Sequence, residues 1–358
     1  MKFVSVVGAR PQFAKAAMLG RELRQRHEEV LVHTGQHYDD LMSDVFFREL
    51  NLPAPDVNLN AGSGSHAVQT ARILEGLEPV LLQHRPDVVI VFGDTNSTLA
   101  GALATAKLDI PLAHVEAGMR SHDKSMPEEI NRVVTDHIST YLFCPTSKAV
   151  ESLRREGIDK GVYEVGDLMY DSLLAMLDLA RRDETGVLSR HGVERGAYYL
   201  ATVHRAGNTD DPSRLRRMME AFGALKAPVV WPVHPRAQEA LESEKIGAPA
   251  NVRLREPVGY LEMLALESNA RAILTDSGGV QREAYFLSVP CVTLREESEW
   301  PETLVDDWNV LAGADIKKIV AAAERPRPNS EPPGVFGDGR AARKIVGILE
   351  RDPPHSRS

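Results

Sequence analysis

The chain has 358 residues, enough for two domains of ordinary size. Hydrophobic residues make up 43% and charged ones 26%, as in water-soluble globular proteins, and the formal charge of −9 argues against general affinity for nucleic acid or anionic membrane. Neither a disulfide framework nor a metal site is expected: there are only two cysteines, Cys144 and Cys291, both in apolar runs, and no C-x-x-C or H-E-x-x-H spacing.

The opening "MKFVSVVGARP" has an apolar run too short for a signal peptide. Nothing approaches the roughly 18 apolar residues of a membrane span, so a cytoplasmic location is expected. In chain order, "KFVSVV" reads as a strand, followed by a helix from about Pro11, the strand "EVLVHTG" and a helix around 41–50. After a loop over 51–65 come the amphipathic helix "AVQTARILEGLEPVLLQ", the strand "DVVIVFG" and a helix from Thr98. "PLAHVEAG", a helix from Pro127, and "TYLFCP" follow. These strands are rich in Val and Ile without alternation, as expected of parallel strands covered on both faces.

The pattern then restarts. "VYEVGDLMYDSLLAM" supplies a last strand and a connecting helix, and "YYLATVH", "APVVWPVH", "RAILTDSGG" and "VPCVTLR" supply a second set of buried strands. The sequence thus predicts two Rossmann-like α/β domains facing across a cleft, 1–169 and 170–335. "ERPRPNSEPPG" reads as a loop, "DGRAARKIVGILE" as a final helix over about 338–350, and 351–358 as a disordered tail.

Ligands of open parallel sheets bind beyond the carboxyl ends of the strands, and the chemically rich residues fall there. Arg10, Asp94, Glu116, His204, His234 and Ser277 each follow a strand. In "AILTDSGGVQREA" an apolar strand runs into Ser277, Gly278 and Gly279 at a helix start, where free backbone N–H groups and the helix dipole favour a diphosphate. Glu283, one turn on, is placed for ribose hydroxyls. In "VVGARPQFAKAA" the cations Arg10 and Lys15 sit near another helix start, placed to neutralise phosphate. "GSGSHA" matches G-x-G-x-x-A, but follows no apolar strand and lacks an acid about 20 residues on, so no dinucleotide cofactor is expected. Asp94, Glu116 and Glu128 are three acids near one strand-end edge, with Arg132 one turn past Glu128. Carboxylates in unlike environments can serve as base and acid. Glu129 reads instead as an ion-pair or capping residue.

Taken together, "GARPQFAKAA", "TGQHYD", "GDTNSTLAGALA", "HVEAGMRS…MPEEINR", "VHRAGNTDDP", "EPVGYLEML", "TDSGGVQREA" and "LREESEWPE…WNVL" resemble the non-hydrolysing UDP-N-acetylglucosamine 2-epimerases, in order and over nearly the whole chain. The resemblance implies the domain arrangement of GT-B glycosyltransferases, a C-terminal helix crossing back to the first domain, a homodimer, no cofactor and a part in cell-envelope polysaccharide synthesis. It also implies roles. Asp94, Glu116 and Glu128 would handle protons, and His204 and Arg132 would support the leaving diphosphate. Arg10, Lys15, His204, His234, Tyr260, Ser277, Gly278, Gly279 and Glu283 would hold UDP.

Three departures stand out. Gly207 replaces the family's Glu in H-R-x-E-N, Trp300 replaces an arginine in "SEWPE", and Ser65 and His66 stand where many members carry an Arg-Gln pair for an activating UDP-sugar. "GARPQF" and "SEWPE" also resemble epimerases of UDP-2,3-diacetamido-2,3-dideoxyglucuronate, so two substrates stay open. A GT-B glycosyltransferase is the alternative from another class, and a non-catalytic nucleotide-sugar sensor a third.

Overall fold

The computed structural model of the protein describes residues 1–36 and 53–353, and the helix expected around 41–50 lies outside them. The chain divides into two compact units within the helix Leu168–Ala180. One is Met1–Leu174 with the segment from Gly334 onward, and the other is Ala175–Pro333.

The first unit is built on seven parallel strands: β1 (Lys2–Val7), β2 (Glu28–His33), β3 (Val57–Asn58), β4 (Val88–Phe92), β5 (Leu112–Val115), β6 (Tyr141–Cys144) and β7 (Val162–Glu164). Their order is β3-β2-β1-β4-β5-β6-β7, so the direction of winding reverses between β1 and β4. Val4 pairs with Val30 on one side and Val89 on the other. Every residue of β4 and β5 is buried, which accounts for their unalternating apolar sequence. Val4, Val6, Val32, Val89 and Val91 pack with Leu77 and Leu81 of the helix His66–His84. The C-terminal helix Ala341–Arg351 belongs to this unit. The buried Asp171 carboxylate accepts from Ala341 N at 3.0 Å and Ala342 N at 2.9 Å, satisfying two of the free amides at the helix start. Beyond that helix, the Asp352 carbonyl accepts from Tyr141 Oη at 2.6 Å and its carboxylate from Tyr163 Oη at 3.0 Å.

The second unit repeats the plan with six parallel strands: β8 (Tyr199–Thr202), β9 (Val229–Pro232), β10 (Val252–Arg255), β11 (Ala272–Thr275), β12 (Cys291–Thr293) and β13 (Asn309–Leu311). The order is β10-β9-β8-β11-β12-β13, with its reversal between β8 and β11. The chain is therefore α/β, with two Rossmann-like sheets.

Four elements differ from the sequence reading. β3 falls inside the expected loop, the helix Ser147–Arg155 was not anticipated, and β10 and β13 were not read as strands. β3 and β13 are too short for a periodicity, and β10 ("VRLR") is an edge strand whose arginines break the apolar run. The helix placed from Thr98 starts at Asn96, because Thr95 caps it by accepting from Thr98 N. Cys144 and Cys291 are buried free thiols, and burial pushes Cys291 up to about 12.

Candidate active site

Each unit gathers its polar residues at its own switch point. In the first, the loop after β1 is tied to the loop after β4 by one side chain. Gln12 Oε1 accepts from Gly8 N at 2.7 Å and Ala9 N at 3.0 Å, while its Nε2 donates to the Phe92 carbonyl at 2.6 Å and Thr95 Oγ1 at 2.9 Å. Arg10 opens the helix Arg10–Leu23, and its side chain lies outside the described atoms. Lys15 was expected to face a diphosphate. Its ammonium instead lies buried, 5% exposed, in an ion pair with Glu116. The reason is helical phase: Lys15 follows Gln12 by three residues and so shares its inward face.

Glu116 follows β5 with φ of +73°, a left-handed conformation that a non-glycine residue adopts at a cost. Its amide and that of Ala117 donate to the Phe143 carbonyl, both at 3.1 Å. A Cβ built on Gly93, after β4, would lie 3.3 Å from Glu116 Oε2, which puts the turn entering Asp94 beside the Glu116 carboxylate. Asp94 forms an ion pair with Arg132, which also donates to Glu129 at 3.0 Å. Asn131 Nδ2 donates to the Asp94 carbonyl at 2.9 Å. Arg132, expected to meet a diphosphate, is thus engaged by two carboxylates of its own unit. Glu128 is the second residue of the helix Pro127–Ile138 and is half-buried. Glu129 closes the preceding loop, accepting from Ser121 N, Ser121 Oγ and His122 N at 2.9 Å each. Burial works against its charge, but those bonds and Arg132 outweigh it and hold the carboxyl below the usual carboxylate range.

In the second unit, Ser277 caps the helix Gly278–Phe286, its Oγ accepting from Val280 N at 3.4 Å. The fully buried Asp276 before it organises the loop after β8. Its carboxylate accepts from His204 N at 3.1 Å, Arg205 N at 3.0 Å and Asn208 Nδ2 at 3.0 Å, and lies 3.1 Å from His204 Nδ1. Burial opposes the Asp276 charge, yet the His204 ring, Asn208 and the Arg205 amide lower its pKa overall. His204 stays about one-third exposed. The His234 ring lies 5.7 Å away, and burial together with repulsion from His204 lowers its pKa. Tyr260 Oη donates to Glu283 Oε1 at 2.9 Å, so these two residues meet on adjacent helices.

The loop carrying Trp300 supplies a feature that the sequence reading missed. A Cβ on Gly278 would stand 2.5 Å from Glu299 Oε2, and Arg295 Nη1 and Arg205 Nη2 lie 3.0 and 3.3 Å from Glu299 Oε1. A carboxylate held by two arginines therefore sits against the first residue of the helix. The Arg282 guanidinium stacks 4.0 Å from the centroid of the Trp300 ring, a cation–π contact. At the other departure, a Cβ on Gly207 would meet nothing within 4 Å.

Among the missed residues, Asp276 and Asn208 lie inside quoted motifs, and their strand-end placement was the available signal. Gln12 likewise lies inside a quoted motif, "GARPQFAKAA", in the first turn of its helix.

Comparison with known proteins decides the family. A family model described as UDP-N-acetylglucosamine 2-epimerase matches residues 21–350. The chain belongs to the UDP-N-acetylglucosamine 2-epimerase family. A UDP-N-acetylglucosamine 2-epimerase homolog of Methanococcus maripaludis is 52% identical, covering 98% of this chain and 99% of the relative. A UDP-2,3-diacetamido-2,3-dideoxy-D-glucuronate 2-epimerase of Pseudomonas aeruginosa is 44% identical over 98% of this chain and 100% of the relative. Among solved structures, the UDP-GlcNAc 2-epimerase of Methanocaldococcus jannaschii in complex with UDP-GlcNAc and UDP matches with a TM-score of 0.82 and 43% identity, covering 98% of this chain and 100% of that one. In this chain acids gather at the strand ends of the first unit, and a capped glycine-rich helix start lies on the second.

Proposed function

We propose that the protein is a non-hydrolysing epimerase that inverts C2 of a UDP-N-acetylhexosamine, interconverting UDP-GlcNAc and UDP-ManNAc. The observation that carries this reading is the set Asp94, Glu116 and Glu128 on one unit, with Lys15 buried against Glu116. The C2 proton is not adjacent to a carbonyl and is very weakly acidic. If the bond from C1 to the diphosphate oxygen breaks first, the electron pair leaves with UDP and an oxocarbenium-like C1 acidifies C2–H. A carboxylate then takes that proton, leaving a 2-acetamidoglucal and UDP. Return of a proton to the opposite face of C2 and re-addition of UDP to C1 complete the inversion. Two acids of unlike surroundings suit the two proton transfers.

On this reading Ser277, Gly278 and Gly279 hold the diphosphate, joined by Arg10 and His204, with Glu283 and Tyr260 toward the ribose. His234 supports the His204 ring, and Arg132 sets the Asp94 carboxylate. No metal or cofactor enters the reaction as written.

A second substrate has its own support. The P. aeruginosa relative that acts on the diacetamido-uronate is 44% identical, as is a UDP-N-acetylglucosamine 2-epimerase of M. jannaschii. The experiment is incubation with each UDP-sugar in D2O. An epimerase places deuterium at C2 of its own substrate. Sugar transfer without C2 exchange would instead mark a glycosyltransferase, and no turnover a sensor.

A cytoplasmic homodimer completes the proposal. Among the described residues no helix is long and apolar enough to cross a membrane. Val68 and Leu82, 45% and 56% exposed along one side of the helix His66–His84, are apolar groups that a second copy would cover. Sedimentation of Leu82→Glu as a monomer, against a wild-type dimer, is the expected result.

A further inference from the structure

We infer that His114 and Asp136 form one buried positioning element that sets the three candidate acids together; the inference rests on the function proposed above. Neither side chain has any exposed surface, so neither touches a substrate. His114 lies in β5, two residues before Glu116. Its Nε2 is 2.7 Å from the Gly93 carbonyl oxygen and its Nδ1 is 2.6 Å from Asp136 Oδ1. A carbonyl only accepts, so Nε2 donates to Gly93. The second Asp136 oxygen accepts from Gly118 N at 3.1 Å and Arg120 Nη1 at 2.7 Å. Arg120 is anchored in turn by Glu156, at 2.7 and 2.8 Å.

Two of these bonds end on the backbone next to an acid. The Gly93 carbonyl belongs to the peptide entering Asp94. The Gly118 amide closes the turn leaving Glu116. Asp136 shares the helix Pro127–Ile138 with Glu128, a little over two turns along. One ring and one carboxylate thereby join the strand end of β4, the strand end of β5 and the helix bearing the third acid.

The turn after β5 needs such a clamp. Glu116 has φ of +73° and Gly118 has φ of +77°, and a Cβ on Gly118 would lie 2.3 Å from the Ala149 carbonyl oxygen. A non-glycine residue stays left-handed only where its surroundings over-determine it. Without the Asp136–Gly118 bond, Glu116 can relax toward ordinary backbone angles and carry its carboxylate away from Lys15. A displacement of ~1 Å at a reacting group costs on the order of 100-fold in rate.

The test is a graded series measured for kcat, KM and the rise in melting temperature with UDP. His114→Leu removes both bonds and is expected to lower kcat on the order of 100-fold. His114→Gln retains an N–H for Gly93, and Asp136→Asn retains neutral bonding to His114 and Gly118; each is expected to recover at least about tenfold of that loss. KM and the UDP-dependent melting shift should stay within about threefold of wild type throughout, since none of the residues proposed to hold UDP bonds to His114 or Asp136.

Wild-type kcat in His114→Leu overturns the inference, as does an equal collapse of kcat, KM and UDP response in His114→Gln. If His114→Leu fails to fold, a double-mutant cycle of His114→Gln with Asp136→Asn in thermal stability decides. Non-additive losses are expected, and additive ones refute the clamp without any substrate. Absence of C2 deuterium exchange in the wild type would refute the proposed function instead, a result distinct from all of these.

Discussion

Lys15 and Glu116 are both nearly inaccessible, and that governs how acid variants behave. The Glu116 side chain is 15% exposed and that of Asp94 is 36% exposed. Asp94→Asn, Glu116→Gln and Glu128→Gln are each expected to lose at least ~100-fold in turnover, the scale of an acid–base group. Their stabilities should part company. Glu116→Gln leaves the buried Lys15 ammonium without its counter-charge, which costs ~3–5 kcal/mol, whereas Asp94→Asn should melt close to wild type. Full turnover in all three variants would remove the proton-handling assignment. Glu267 offers a different test. It is 1% exposed, and neither carboxyl oxygen has a hydrogen-bond partner among the described residues. Burial, with repulsion from Glu283, raises its pKa well above the ordinary 4.5. A raised carboxyl pKa means that folding favours the neutral acid, so its share of stability is complete below 4.5 and is lost as pH rises through the folded value. Glu267→Met should therefore raise the melting temperature more at pH 8 than at pH 5, and equal gains at both would contradict a protonated Glu267.

At the scale of elements, the strands were legible where burial on both faces wrote a continuous apolar run, as in "VVIVF" and "AILT". They were illegible at the sheet edges, where "VRLR" alternates, and in pieces as short as β3 and β13. Strand-end placement pointed to where polar residues collect. It could not pair them, since pairing across elements depends on sheet order: Lys15 with Glu116 and Asp94 with Arg132 come together only because β1, β4 and β5 are neighbours. Glu299 was hidden for the same reason. A carboxylate against the start of the helix Gly278–Phe286 opposes an incoming diphosphate by like charge and occupies Arg205 and Arg295. Glu299→Gln is expected to tighten UDP binding severalfold by calorimetry, while Glu297→Gln leaves it unchanged. Weaker UDP binding in Glu299→Gln would mean that this side chain contacts the ligand directly.

For the whole molecule, UDP alone should raise the melting temperature, by the equivalent of ~2.7 kcal/mol at 100 times its Kd. Ser277→Ala with Glu283→Ala should abolish most of that rise, and a UDP-insensitive wild type would remove the diphosphate cradle. Kinetics should be hyperbolic in substrate. His66 contacts Asn96, at 3.2–3.3 Å, and Arg72 donates to the Ala61 and Ser63 carbonyls at 3.3 Å, so the loop before this helix is braced by its own chain. A lag from the manno-configured substrate that trace gluco-configured substrate abolishes would reveal an activator site there.

The capping of the helix Ala341–Arg351 by Asp171 has a consequence for biosynthesis. The first unit is started before the second and is completed only by the segment from Gly334 onward, while Ala175–Pro333 is a continuous insertion between its two parts. The second unit can finish folding before that segment is made, but the first must hold an uncovered apolar surface until the helix Ala341–Arg351 has emerged. A chain stalled after Pro333 should therefore yield a protease-resistant second unit beside a protease-sensitive, chaperone-binding first unit. Supplying the missing helix in trans should restore protection to the first unit alone.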